Sequence, residues 1–565
     1  MKRIAMLTAA ATLLGHAAFA ASPDAPAVGD LRKVGTTHLT TSCASSVAKD
    51  LAAGVALLHS FFYEEARRVF TDVAARDGSC AMAQWGIAMT WWHPIWTPPS
   101  PEERAKGRAA IEKARTIGGR TDLERGYIDA LAAYYADPVP GSPSEPGQSC
   151  HGPTGGGDHA SRAVAYERAM EKVYSAHPQD IEAATFYALA LLASAPPADR
   201  TLENQTRATE ILEPFHRQQP DHPGVLHYLI HGYDYPSVAE KGLPAAKAYA
   251  AIAPWVPHVL HMPSHIFTRL GMWEDVATSN LSAAEAAHQY AVRRTPGATS
   301  FEELHSMDYL IYAYLQTAQD ARAQDVVRKV NGVGKTDTEN DFAVAYAAGA
   351  VPARYALERR QWAEAAGLTE PTVSSAQQYP FGHAHVAFAR ALGAARVGRL
   401  DDAKQTLARL DELRTAMTDP RQKFFALQAD MQAKLVQGWI EHAEGREGDA
   451  ERLLRGAADT DDALGKHPVS PGSLLPAREV LADYLMERNR FAAARAEYEA
   501  CLKLNPRRLD SVYGAGLAAE KAGDRDGARA HYQALASMVA ADATRAEVVQ
   551  ARAFLAADAR RASSR

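Results

Sequence analysis

Two histidine pairs, His227 with His231 and His261 with His265, occupy segments that repeat one another position by position: Pro223-Gly224-Val225-Leu226-His227-Tyr228-Leu229-Ile230-His231 and Pro257-His258-Val259-Leu260-His261-Met262-Pro263-Ser264-His265. Imidazoles four apart lie on one face of a helix, one turn above each other. Packed helices lie about 8 to 10 Å apart, a gap that four inward-facing rings can close around one ion. Nitrogen ligation of that kind suits Zn²⁺, Cu²⁺, Fe²⁺ or Ni²⁺. His258, one turn before His261, Asp234 after the first pair, and His305 and Asp308 further along complete the candidate set. A carboxylate there either ligates or holds a ring in one tautomer from behind. With an open coordination position such an ion activates water or dioxygen, and Asp234, Glu303 or Asp308 is the candidate general base.

A metal-free reading stands beside this one. Tyr228, Tyr233, Tyr235 and Ser264 offer hydrogen-bond partners that would satisfy buried imidazoles, and Pro263 can kink the helix between His261 and His265. The chain has no HExxH, no GxSxG elbow and no recognisable Cys-His nucleophile arrangement. His59 with Glu64 and Glu65 is permissive without being specific. His383 and His385 are two apart and would point in different directions on a helix.

The elements that must position these residues are helical. With 565 residues, 47% hydrophobic and 23% charged, the chain is too long for one compact core and needs several domains or a solenoid. A formal charge of −6 and the lack of a Lys/Arg block argue against a nucleic-acid partner. Lys2 and Arg3, the apolar run Ile4 to Leu14 and Ala18-Phe19-Ala20 match a secretory signal cleaved near Ala20. No other run reaches the roughly 18 apolar residues that cross a bilayer, so the expectation is a bacterial periplasmic or secreted protein without membrane insertion. In such a compartment Cys43 and Cys80, which flank the first helical pair, are expected to bridge. Cys501 reads as a buried thiol, and the state of Cys150 is open.

Composition divides the chain into the signal (1–20), an extended leader (21–46), N-terminal helical pairs (47–135), a Pro/Gly-rich loop (136–160), a histidine-rich central region (161–320) and a C-terminal region (321–565). Gly155-Gly156-Gly157 before Asp158 could present amides to an anion, although a connector capped by Asp158 explains the same residues. Trp85, Trp91, Trp92 and Trp96 either wall a ligand pocket or pack as core.

Gly54, Leu57, Ala66 and Phe70 have the spacing of small and aromatic positions in a helical hairpin. Ala494 and Tyr498 recur as Ala528 and Tyr532 at the same offset that separates the histidine pairs, and Pro506 sits where such a hairpin ends. In these residues the chain resembles the tetratricopeptide repeat family, whose period of about 34 residues is that offset. Between positions 360 and 460 the hairpin turns are spaced more widely, which implies longer loops there. The resemblance implies an all-α, right-handed solenoid of stacked helix-turn-helix repeats. It also implies that first helices line the concave surface, and that the usual partner is a protein or peptide in that groove. Two functions follow: a binding scaffold with a histidine-lined region, or a metal-dependent enzyme or metal-handling protein built on His227, His231, His261 and His265. Scattered histidines in an open groove would mark the first. Those four rings and a carboxylate meeting at one point in a closed pocket would mark the second.

Overall fold

Eight tight turns set the register of the solenoid. At Phe61, Gly271, Ala318, Arg360, Gly398, Gly445, Asn489 and Gly523 the backbone adopts positive φ, and in every case a new helix starts two positions later, at Tyr63, Trp273, Asp320, Trp362, Leu400, Glu447, Phe491 and Arg525. The N–H of the residue after each turn residue bonds the carbonyl five positions back, as Phe62 does to Leu57 and Met272 to Phe267. This is the Schellman closure, which satisfies a helix's last carbonyls and reverses the chain. The hairpins it closes include Ala48–His59 with Tyr63–Arg76, Phe301–Gln316 with Asp320–Asn331, and Leu509–Lys521 with Arg525–Met538.

The computed structural model describes residues 29–95, 98–137, 159–196, 201–337, 341–419 and 422–563. Among them are twenty-seven α-helices, one isolated bridge between Thr299 and Thr336, and no named strand. The fold is an all-α solenoid of stacked helix-turn-helix pairs. The signal segment, Trp96, Cys150 and the glycine run before Asp158 lie outside the described residues. The turns at Asn489 and Gly523 are one repeat period apart, whereas the step from Gly398 to Gly445 is longer. Long helices, Leu400–Ala416 and Lys423–Ala443, account for that step rather than the long loop the spacing implied. No helix of the described residues is long and apolar enough to cross a membrane.

The coil is tight enough that distant repeats touch. Helix Ala48–His59 packs on Pro223–Tyr233, and Phe301–Gln316 on Leu509–Lys521. Residues 29–42 run outside regular helix across successive first helices: Ser42 bonds Glu124, the His38 amide bonds Glu182 and Thr36 bonds Asp221, at 2.6 to 2.7 Å. Trp255 donates its indole N–H to the Lys33 carbonyl. Cys43 and Cys80 form the expected disulfide, with Cα atoms 4.7 Å apart, and Cys501 is a buried free thiol.

The tryptophan pocket is corrected by packing. Trp85 and Trp92 are fully buried, the first edge-on to Phe186 and the second stacked on Tyr134, so they are core between helices. Trp91 alone of the described three faces a cavity, under the Arg67 guanidinium at 3.9 Å.

Candidate metal centre

Three consecutive first helices supply the histidines. Pro223–Tyr233 carries His227 and His231; Pro257–His261 and Pro263–Arg269 carry His258, His261 and His265; Phe301–Gln316 carries His305. Pro263 ends one short helix and starts the next without turning His265 away from His261. Met262 keeps helical angles, φ −54° and ψ −37°, so the two short helices run on as one and His261 and His265 stay on one face.

The rings assemble as two groups of three rather than four rings around one point. His227, His231 and His258 form one triad, His261, His265 and His305 the other, each with its ligand nitrogens within 4.8 Å of one another. His258 belongs with the first pair because it lies one turn before His261 and meets the neighbouring helix, its Nε2 3.2 Å from that of His227. Between the triads the ring centres of His231 and His265, and of His258 and His261, are 6.3 Å apart, no farther than His265 and His305 within the second triad at 6.5 Å, so it is the convergence of ligand nitrogens that defines the two groups. His227, His258, His261, His265 and His305 are at most 4% exposed, and His231 is partly buried.

Hydrogen bonds behind the rings fix which nitrogen carries the proton. The Nδ1 of His261 lies 2.7 Å from the Asn280 side-chain oxygen, and Asn280 donates its amide to the Val276 carbonyl, so its oxygen must face the ring. His265 Nδ1 lies 2.9 Å from an Asp234 carboxylate oxygen. Both partners only accept, so both rings carry hydrogen on Nδ1 and a lone pair on Nε2. Those two Nε2 atoms face each other at 3.1 Å. Two acceptors cannot hydrogen-bond, and a cation between them resolves the conflict. His227 is held in the same way, donating from Nδ1 to the His59 carbonyl at 2.6 Å. Its one Nε2 lone pair faces both His231 and His258, at 3.1 and 3.2 Å.

A proton is a poor candidate for that cation. Burial lowers the pKa of every ring in both triads: His227 and His305 fall to about 3, His231, His258 and His261 fall well below the usual value, and His265 is lowered despite Asp234. Burial thus favours at all six positions the neutral, deprotonated ring that metal ligation requires. Two nitrogens bound tetrahedrally at about 2.0 to 2.1 Å from one ion stand about 3.3 to 3.4 Å apart, close to the spacing found.

Asp234 stands behind the site as an anchor for His265. Burial alone would raise its pKa, but Lys466 at 2.6 Å and Arg269 at 2.8 Å outweigh burial and hold the carboxyl well below its usual range. Lys466 is itself lowered by burial to about 8. Asp308 is not with the rings: its carboxylate faces Arg354 at 3.2 Å, both side chains fully buried, because that guanidinium on helix Asp341–Glu358 draws it away from His305. Glu303 lies 3.3 Å from His288. Of the hydroxyls expected to satisfy the rings, Tyr233 bonds Glu213 and Tyr235 accepts from Gln205. Tyr228 bonds His59 rather than either pair.

A third cluster, His59, Glu182 and His222, provides the contrast. His222 Nδ1 accepts from the Val225 amide, leaving Nε2–H for Glu182 at 3.1 Å. His59 Nδ1 accepts from the Tyr228 hydroxyl, leaving Nε2–H for the other carboxylate oxygen at 2.9 Å. Burial pushes the Glu182 carboxyl up, but the two imidazoles outweigh it and hold it ionised. Every donor here meets an acceptor, so this cluster is complete without an ion. Cys43, Asp77 and Cys80 also converge, but both sulfurs are in the disulfide. His385 is buried among Tyr346, Phe381 and Phe425, and His383 pairs with Glu370.

No family model matches the chain, and no curated protein sequence matches it. Among solved structures, the human IFIT1 dimer with m7Gppp-AAAA aligns at 13% identity over 88% of this chain and 91% of that one, with a TM-score of 0.33. Yeast Tom70 aligns at 11% identity over 92% of this chain and 89% of that one, with a TM-score of 0.26. Neither likeness bears on the histidine site.

Proposed function

We propose that this chain is a metal-dependent enzyme whose helical-repeat scaffold encloses two divalent transition-metal ions, one in each histidine triad. The observation that carries this reading is the pair of facing lone pairs on His261 and His265, each fixed by an acceptor behind its ring. Six buried rings with a carboxylate behind one of them support this reading over scattered histidines in a groove, although they form two triads rather than meeting at one point. His227, His231 and His258 would hold one ion and His261, His265 and His305 the other, and since neutral imidazoles contribute no charge, the chemistry such an ion would supply is Lewis acidity. Zinc, copper and iron all accept imidazole. Export accords with the disulfide, which persists in oxidising compartments.

Metal analysis of the untagged protein tests the reading. About two equivalents should survive dialysis, and His261→Ala/His265→Ala should lose one of them while circular dichroism stays helical. A helical double variant that keeps as much metal as the parent, or a parent that takes up none from Zn²⁺, Cu²⁺ or Fe²⁺, would sink it.

A further inference from the structure

A hydrogen-bonded path leads outward from the first triad and passes through the histidine cluster that needs no ion. His227 donates from Nδ1 to the His59 carbonyl at 2.6 Å. His59 is the last residue of helix Ala48–His59, so this carbonyl is one of those that a helix end leaves open. The imidazole of the same residue is held at both nitrogens, Nδ1 by the Tyr228 hydroxyl at 3.0 Å and Nε2 by Glu182 at 2.9 Å. Two adjacent residues of helix Pro223–Tyr233 therefore end on His59, one on its backbone and one on its ring. Gly224 lets that helix sit so close: a Cβ there would stand 2.6 Å from the His59 Nδ1 and 2.6 Å from the Thr185 Cγ2.

Glu182 anchors the outer end of the path. His59, Glu182 and His222 are fully buried, and N–H donors from three separate segments converge on the one carboxylate. They are His59 Nε2, His222 Nε2 at 3.1 Å and the backbone amide of His38 at 2.7 Å. None of the three can turn acceptor, because the Nδ1 of each ring already accepts, from Tyr228 and from the Val225 amide, and a backbone N–H only donates. A carboxylate takes all three. A carboxamide of the same shape has one oxygen and one NH₂, so at least one buried N–H would face another donor.

We infer that Glu182 is a positioning residue of the first triad: by fixing the His59 ring it fixes where the His59 carbonyl lies, and so which nitrogen His227 presents to an ion. The inference rests on the metal reading above. Groups behind a metal-binding histidine set its tautomer and orientation, and their loss typically costs about tenfold to a hundredfold in metal affinity. Rings of the second triad are held by Asn280 and Asp234 instead, so that site serves as the internal comparison.

Competition between the full-length protein and a chromophoric chelator, run with Zn²⁺, Cu²⁺ and Fe²⁺ in turn, tests this. Glu182→Gln should weaken one of the two ions by about tenfold to a hundredfold and leave the other as in the parent. Tyr228→Phe, which frees the other nitrogen of His59 and keeps Glu182, should weaken the same ion about fivefold; it decides alone if circular dichroism shows that Glu182→Gln does not fold. In a His227→Ala background neither change should weaken metal binding further, because the path to the ion is already cut. Both ions bound as tightly in the two variants as in the parent, both weakened alike, or a further loss in the His227→Ala background overturns this inference and leaves the metal reading standing. A parent that takes up none of the three metals overturns both.

Discussion

A buried imidazole is defined by what stands behind it as much as by what stands in front. In the His59–Glu182–His222 cluster every donor meets an acceptor, whereas behind His261 and His265 two acceptors force both lone pairs inward. Counting histidines cannot separate these cases; tracing tautomers can. His385 shows what an isolated buried ring does: burial lowers it to about 3, so it folds neutral while the unfolded chain protonates it below about 6.5. Its folded pKa is depressed, so its contribution to stability is complete above pH 6.5 and declines as pH falls toward 3. His385→Phe removes that titration. Relative to the parent, the variant should gain about 2 kcal/mol between pH 7.5 and pH 5, read from urea midpoints at the two pH values. A stability difference that does not change with pH would contradict the account.

The pairs His227/His231 and His261/His265, and the wider set with His258 and His305, were legible in the sequence because they ride on helical periodicity. Their division into two triads was not, since it depends on where neighbouring helices meet. One signal went unused. Leu226-His227, Leu260-His261 and Leu304-His305 all place histidine at the fifth position of a first helix, counted from Pro223, Pro257 and Phe301. Read as a register, that recurrence assigns His305 to the site and puts Tyr309 at the level of His231 and His265. Asp308 was misplaced for the opposite reason: three positions on from a ligand is near one face, but Arg354 from another helix decided its direction.

At the scale of elements, the turn is the unit that repeats. Four of the eight turn positions carry a side chain in the left-handed region, at a cost of about 1 to 2 kcal/mol, and Gly398, Gly445 and Gly523 have open space for one. Gly271 differs. A Cβ there would lie 2.5 Å from the Pro506 carbonyl oxygen, whereas one on Gly398 meets nothing within 4 Å. Gly271→Ala should therefore cost the conformational term plus about 1 to 3 kcal/mol of overpacking, and Gly398→Ala the conformational term alone. Equal losses in thermal or urea unfolding would show that the contact between the turn at Gly271 and the region of Pro506 is not formed. Hairpins and turns are visible in local spacing; this contact joins segments far apart in the chain, and no local pattern announces it.

Across the whole molecule, the C-terminal region closes over the centre rather than trailing from it. Lys466 reaches Asp234, Tyr309 donates to the Ser470 carbonyl at 3.0 Å, and Arg354 bonds the carbonyls of Gly472 and Ser473. Arg508, fully buried, binds Glu358 and Glu479 at 2.7 Å and so ties three hairpins together. Composition and repeat spacing announce a solenoid, but its tightness depends on these buried charges meeting across the coil. That closure shields the rings from water and makes the imidazole cluster an enclosed place.

The most direct measurement of that centre is X-ray absorption at the metal edge of the loaded protein. A first shell of nitrogen and oxygen only, with outer-shell scattering from about three imidazoles per ion, is the predicted result. A sulfur ligand, or a shell of carboxylate and water oxygens with no imidazole signature, would contradict the assignment of the two histidine triads as the metal centre.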